Sequence, residues 1–285
     1  MSTKSNLFFR NLYYSMSPNN RLLVRKLVYF PIDFLNLLGP KSKDVIPKKG
    51  DIFIGSGDFV KQGKHQLDLL NQYAELKPNG KILDVGSGIG RTAFALKSYL
   101  SETAVYDGFD VVEKGVVWCQ KNISNQYPNF IFKCTPLNND LYHITDDKAE
   151  KFVFPYQSDF YDTVFLFSVF THMQPLEVQN YLNEICRVLK PGGKCLTTFF
   201  YYTSANEDFI SAQNGEFIFP YQKENYRLMN EKVTSANIAF EENKLKEMIA
   251  AAGLHLSETI DGYWKGAQSG NQLRDFQDVF ILTKK

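Results

Sequence analysis

The residues best placed to do chemistry stand in one short stretch, Asp84-Val85-Gly86-Ser87-Gly88-Ile89-Gly90-Arg91. An apolar run over 81–85 ends in a carboxylate, passes into a Gly-x-Gly-x-Gly turn and opens a helical pattern. Glycines in such a turn allow unusual dihedrals and let a ligand approach the backbone. The helix start beyond them offers N–H groups to an anion. A second carboxylate, Asp110, follows Gly90 by 20 residues at the end of the next apolar run. There it can accept hydrogen bonds from ribose hydroxyls.

Two ligand classes suit this arrangement. A dinucleotide turn reads G-x-G-x-x-G, and Arg91 occupies the place of its third glycine. Asp84, just before the turn, is also a poor neighbour for a pyrophosphate. A ligand with an ammonium group, a carboxylate and a ribose but no phosphate fits the Asp84 and Asp110 pair better. S-adenosylmethionine is such a ligand.

Methyl transfer from a sulfonium needs an aligned acceptor and a dry site. A hydroxyl acceptor also needs a base, for which histidine is the usual choice. Ser168-Val169-Phe170-Thr171-His172-Met173 follows an apolar run at 163–169 and so falls at a strand's carboxyl end, where ligand crevices of open parallel sheets lie. His172 is the leading candidate for the base or acceptor-positioning group; the alternative is that it ties down its loop or touches the cofactor. His65 and His143 suit polar surface or hinge positions, and His255 a structural one. The long aromatic and polar stretch 203–237 reads as a lid insertion. Tyr202, Tyr221, Tyr226 and Arg227, with Trp264 beyond, are its candidate acceptor contacts, since aromatic faces with an arginine suit a sugar ring or an anion. Packing within the lid or core is the competing role for each.

These residues need a scaffold, and the chain supplies one. Apolar runs at 81–85, 105–110, 130–134, 163–169 and 194–201 alternate with helical periodicities at 90–100, 113–125 and around Tyr181, Ile185, Val188 and Leu189. Lys190-Pro191-Gly192-Gly193 is an explicit helix stop. Such alternation predicts an α/β fold with a doubly wound parallel sheet. After a helix at 240–251, strands at 255–260 and 279–282 with no helix between them predict an antiparallel hairpin at the sheet edge.

With these motifs in order, the chain over about 50–285 resembles the class I S-adenosylmethionine-dependent methyltransferases, particularly the small-molecule type 11 group. LDVGSGIGR resembles the family's first motif, Asp110 its ribose-binding acid, Tyr161–Phe165 its fourth strand and VLKPGG its signature before the fifth. The resemblance implies a Rossmann-like seven-stranded sheet of order 3-2-1-4-5-7-6 with strand 7 antiparallel. It implies that Asp84 organises the methionine end, with Gly86, Ser87, Gly88, Gly90 and Arg91 lining the turn and Ser168 close by. The stretch 52–59 resembles a segment that closes over the cofactor, through Gly57 and Phe59. Where relatives often carry an acid for the adenine amino group, this chain offers Asn138 or Asn139. The stretch SVFTHM and the basic leader resemble proteins of surface-glycan or glycolipid assembly, so the implied acceptor is a small molecule or glycan methylated at oxygen. A carbon methyltransferase acting on a lipid or quinone, and a non-catalytic cofactor-binding protein, are the alternatives.

Composition narrows the remaining classes. The 285 residues are 44% hydrophobic and 22% charged, with a formal net charge of +1, as in ordinary globular proteins. Residues 1–50 carry nine Lys/Arg against two Asp/Glu, whereas the rest carry 23 against 29. No nucleic-acid partner is expected of so acidic a body. The four scattered cysteines show no metal-ligand spacing, so no metal is expected, and buried reduced thiols suit the cytoplasm. Neither a membrane-spanning run nor a secretory signal is expected.

The basic leader, 1–50, is expected to be a helical extension. Around residues 21–30, Leu23, Val24, Leu27 and Phe30 share one side of a helix and Arg21, Arg25 and Lys26 the other. Such a helix suits peripheral contact with an anionic membrane through residues 18–49 at the inner surface. The alternative is packing on the domain or on a second subunit with the charges solvated.

Overall fold

Alternating apolar and β-branched residues bring five parallel strands together. In the computed structural model, which describes residues 16–38, 45–53, 57–137, 148–211, 217–265 and 272–285, β1 (Lys81–Val85) lies between β2 (Val105–Asp110) and β4 (Tyr161–Leu166). β3 (Phe130–Cys134) pairs beyond β2, and β5 (Leu189–Tyr202) beyond β4, all in parallel. Near the chain end, β9 (Leu254–Ile260) and β10 (Asp278–Lys284) form the expected antiparallel pair, and β10 also runs antiparallel to β5. The order is therefore β3-β2-β1-β4-β5-β10-β9, the expected seven-stranded arrangement.

The period of two along the strands splits the core into two layers. Leu83, Val85, Val164 and Leu166 face α5 (Pro175–Val188) and α7 (Glu242–Ala251) in one cluster. Ile82 and Phe165 face the other way, toward α2 (Phe59–Tyr73), α3 (Arg91–Leu96) and α4 (Glu113–Cys119). α5 starts with Pro175 at its first turn and a reciprocal cap between Gln174 and Glu177. It ends at Val188, and Gly192 takes φ +76° in the irregular entry to β5.

The structure differs from the sequence expectations in five places. The helix expected at 113–125 is α-helical only to Cys119 and continues as a π turn to Ser124. α3 is shorter than expected, and α2 was not anticipated. The stretch 203–237 is more than a covering loop: it carries α6 (Glu207–Ser211), β6 (Tyr221–Gln222) and β7 (Tyr226–Leu228), and leads into β8 (Ile238–Glu241). β8 runs parallel to the last residues of β5, from Phe200 to Tyr202, and β7 and β6 follow antiparallel. A short additional sheet thus extends from the carboxyl end of β5.

The fifth difference concerns α1 (Pro18–Leu38). Arg21 is buried, whereas Leu23, Leu27 and Phe30 are exposed, the opposite of the alternative in which the apolar side packs on the domain and the charges are solvated. Among the described residues, no helix is long and apolar enough to cross a membrane.

Candidate active site

β1 and β2 end side by side, with Val85 opposite Phe109, and the turn between β1 and α3 bends over them. Gly86, Gly88 and Gly90 adopt φ of +80°, +57° and +76°, where side chains are strained. Space is short as well. A Cβ on Gly86 would collide with Val169 Cγ2, and one on Gly90 would meet Cys119 Sγ at 2.7 Å.

The hydrogen bonds of the turn make it a poor pyrophosphate cradle. The N–H groups of Gly86 and Ser87 both donate to the Phe109 carbonyl, at 2.9 and 3.0 Å. Gly90 donates to the Ser87 carbonyl at 2.9 Å, and Gly88 donates to Asp110 Oδ2 at 2.8 Å. These four N–H groups, which a pyrophosphate would need, are spent inside the protein. What the turn presents instead is carboxylate.

Asp110, at the end of β2, also accepts the Val112 N–H at 2.8 Å through Oδ1. Burial pushes its carboxyl up to about 6, against the opposing pull of the backbone donors Val112, Gly88 and Val111. With three backbone donors in place, the carboxylate keeps about one acceptor direction for a ribose hydroxyl. Asp84 is buried beneath the turn and accepts a hydrogen bond from the Tyr106 hydroxyl. Burial pushes it up to about 8, with the Tyr106 bond opposing and nearby Asp110 adding to the shift. An arriving ammonium or sulfonium would favour its ionised form. Among the described residues, the buried Ser87 hydroxyl oxygen has no hydrogen-bond partner. This orphaned group, the strained glycines and the two carboxylates fit S-adenosylmethionine, whose polar groups could satisfy them.

The segment before α2 covers the turn. Phe59 packs edge-on against Phe94 and Trp118, with centroids 5.6 and 6.4 Å away, in a cluster with Ile52 and Ile89 of the turn itself. Gly57, at φ +93°, bends the chain into α2, and a side chain there would meet Gln62. Arg91 is placed apart from the acid pair: its charged neighbours are Arg25 of α1 and Asp275. Ser168, at φ +58°, has its hydroxyl tied to Gln277 Oε1 at 3.0 Å, the same atom that accepts from Thr198 at 2.6 Å. Asn138, Asn139 and His143 lie outside the described residues.

His172 lies on a single 3₁₀ turn, Phe170–His172, following β4. Its Nδ1 is 2.7 Å from the Ser235 carbonyl oxygen. Against an acceptor oxygen that nitrogen carries the hydrogen, so in the neutral ring the lone pair is on Nε2. Val169, which crowds Gly86, carries this turn against the cofactor loop.

The five candidate acceptor contacts separate. Tyr202 and Trp264 are buried together with Phe200, Phe219 and Met229, and Trp264 donates to Asp278 Oδ2 at 2.8 Å. Arg227 is buried in an ion pair with Glu207 at 2.6 Å, its guanidinium 5.8 Å from the Tyr202 ring centre. Trp264 Nε1 and the terminal nitrogens of Arg227 thus meet internal partners, while Arg227 Nε is buried without one among the described residues. Tyr226 is half-buried against Phe240, and Tyr221 is exposed on β6. Among the described residues there is no group of three or more His, Cys, Asp or Glu arranged for a metal. Cys119 and Cys195 are buried, but Cys134 is exposed, contrary to the expectation for all four thiols.

Tyr106, Gln277 and Ser235 were not anticipated. Tyr106 could have been found from register, since two residues of alternation put it on the same sheet face as Asp84. No local signal marks the other two.

Sheet order, the strained turn and the paired acids define a class I methyltransferase fold. Residues 82–193 match the family model described as a methyltransferase domain. Over this stretch the chain is similar to methyltransferase domains, and its fold is that of S-adenosylmethionine-dependent methyltransferases. Among solved structures, the PH0226 protein from Pyrococcus horikoshii OT3 shares 18% identity at a TM-score of 0.56, over 82% of this chain and 94% of its own. An S-adenosylmethionine-dependent methyltransferase from Mesorhizobium loti shares 14% at 0.53, over 78% and 99%. Another from Clostridium acetobutylicum ATCC 824 shares 10% at 0.52, over 80% and 93%. At these identities the likeness is one of fold.

Proposed function

We propose that this chain methylates a hydroxyl of a small-molecule or glycan-type acceptor, with His172 as the proton acceptor. The bound cofactor supplies an electrophilic methyl group on a sulfonium, open to in-line displacement. Asp110 holds a ribose hydroxyl, while Asp84 and Ser87 serve the amino-acid end. His172 Nε2 takes the acceptor's proton as its oxygen becomes nucleophilic, and the Ser235 carbonyl steadies the imidazolium through Nδ1–H. Phe59 and Ile52 keep water from the turn, which strengthens these polar contacts.

The observation that carries this assignment is the Nδ1 contact with Ser235, which aims the basic nitrogen away from the backbone anchor. The test is methyl transfer from labelled cofactor to a panel of hydroxylated acceptors, with the new bond located by mass spectrometry. An oxygen–methyl linkage that His172→Ala slows severely is expected. Product methylated at carbon, or an unchanged rate in the variant, refutes the proposed chemistry.

A further inference from the structure

Helix α1 is inverted for a helix in water. Leu23, Leu27, Val28, Phe30, Phe34 and Leu35 are between 51% and 67% exposed. At 100° per residue they fall within one arc of about 160°, and no charged residue of α1 falls in it. The charged side of the helix faces the domain. Asp33 accepts the N–H groups of Lys49 and Gly50 at 2.8 and 2.9 Å, and Lys26 lies 3.6 Å from Asp51. Arg25 stacks on Tyr29 and adjoins Arg91. Polar contacts hold the helix in place and leave its apolar stripe outward. Val45 and Ile46 add exposed apolar surface just before the exposed Lys48 and Lys49.

A contiguous stripe of this kind marks a surface that something else covers. Charge selects the occupant. The first 50 residues carry nine Lys/Arg against two Asp/Glu, and the acid on α1, Asp33, is turned to the domain. Burying two such stripes against each other would bring two basic leaders together. An anionic lipid surface instead takes up the apolar side chains and attracts the lysines beside them. The acidic remainder of the chain would be repelled by that surface, which leaves the leader facing it.

We propose that α1 lies in the plane of an anionic bilayer with Leu27, Phe30 and Phe34 inserted among the acyl chains. This goes beyond the methyl-transfer assignment and does not rest on it. The test is co-sedimentation of the full chain with vesicles of phosphatidylcholine alone or with 30% phosphatidylglycerol, at low and high salt. Binding to the anionic vesicles at low salt is expected, at least tenfold weaker on the neutral ones. The double variant Leu27→Glu/Phe34→Glu should remain in the supernatant with unchanged melting temperature and cofactor affinity. Lys48→Glu/Lys49→Glu, which keeps the apolar stripe, should lose the dependence on anionic lipid. Wild-type protein that ignores anionic vesicles at low salt overturns the proposal. So does a dimer in solution that the Leu27→Glu/Phe34→Glu change dissociates without any vesicle binding. If that variant instead melts earlier and the wild type binds no vesicle, the chain covers its own stripe and the proposal fails.

Discussion

His172 and Ser235 are 63 residues apart in the chain, yet the imidazole Nδ1 lies 2.7 Å from the serine carbonyl oxygen. This contact joins the turn after β4 to the segment entering β8. It fixes both the ring's orientation and its tautomer, two conditions for a general base.

Replacing His172 by alanine should lower kcat by about 10²–10⁴-fold while cofactor affinity changes little. Steady-state kinetics beside calorimetric titration with the demethylated cofactor separates the two effects. Equal losses in both would make the histidine a structural strut.

Asp84 should make both stability and binding depend on pH. Its carboxyl rises from 3.8 in an exposed chain to about 8 when folded. The folded protein therefore keeps a proton that the unfolded chain releases, and stability falls as pH rises from about 4 through 8. Asp84→Asn removes this term, so its melting temperature should gain on wild type steadily over that range. A cationic cofactor favours the carboxylate, so binding near neutrality should release protons and tighten with rising pH. Calorimetry in two buffers of different ionisation enthalpy measures the release; none at all would place the cofactor's charge away from Asp84.

Asp110→Ala should weaken cofactor binding by at least about 100-fold, since hydrogen bonds to charged groups contribute about 1.5–3 kcal/mol each. It also frees the Gly88 and Val112 N–H groups that the carboxylate holds. Undiminished affinity by equilibrium dialysis would remove the acid from the ribose site.

Lys265→Met should destabilise the protein by about 3–5 kcal/mol by stranding a buried carboxylate. Lys265 Nζ is 3.0 Å from the fully buried Asp278, whose carboxyl burial pushes up to about 6 with Lys265 opposing. The deficit should shrink in acid, where Asp278 takes up a proton. Urea melts at two pH values measure it, and a pH-independent loss would point to packing instead.

How far the sequence spoke for the structure depended on distance along the chain. The strand, turn and acid around Asp84 are contiguous, and Asp110 follows at a spacing set by one helix and one strand, so their juxtaposition was legible. Tyr202, Arg227 and Trp264 looked available because their partners, among them Glu207 and Asp278, come from other elements. β6, β7 and β8 escaped notice because two to four residues carry no period, and β8 finds its mate some 40 residues back, at the end of β5. Amphipathicity revealed the two faces of α1, but only tertiary contacts show which face the domain uses.

β5 outlasts its antiparallel neighbour. Lys194 to Phe199 are matched by β10, and Phe200 to Tyr202 by β8. The two ladders share a backbone but no rungs. Grafting a different segment between Tyr202 and Val233, which keeps the Ser235 carbonyl against His172, would thus leave the cofactor half anchored through β10, and a new acceptor preference could be engineered without rebuilding the sulfonium end.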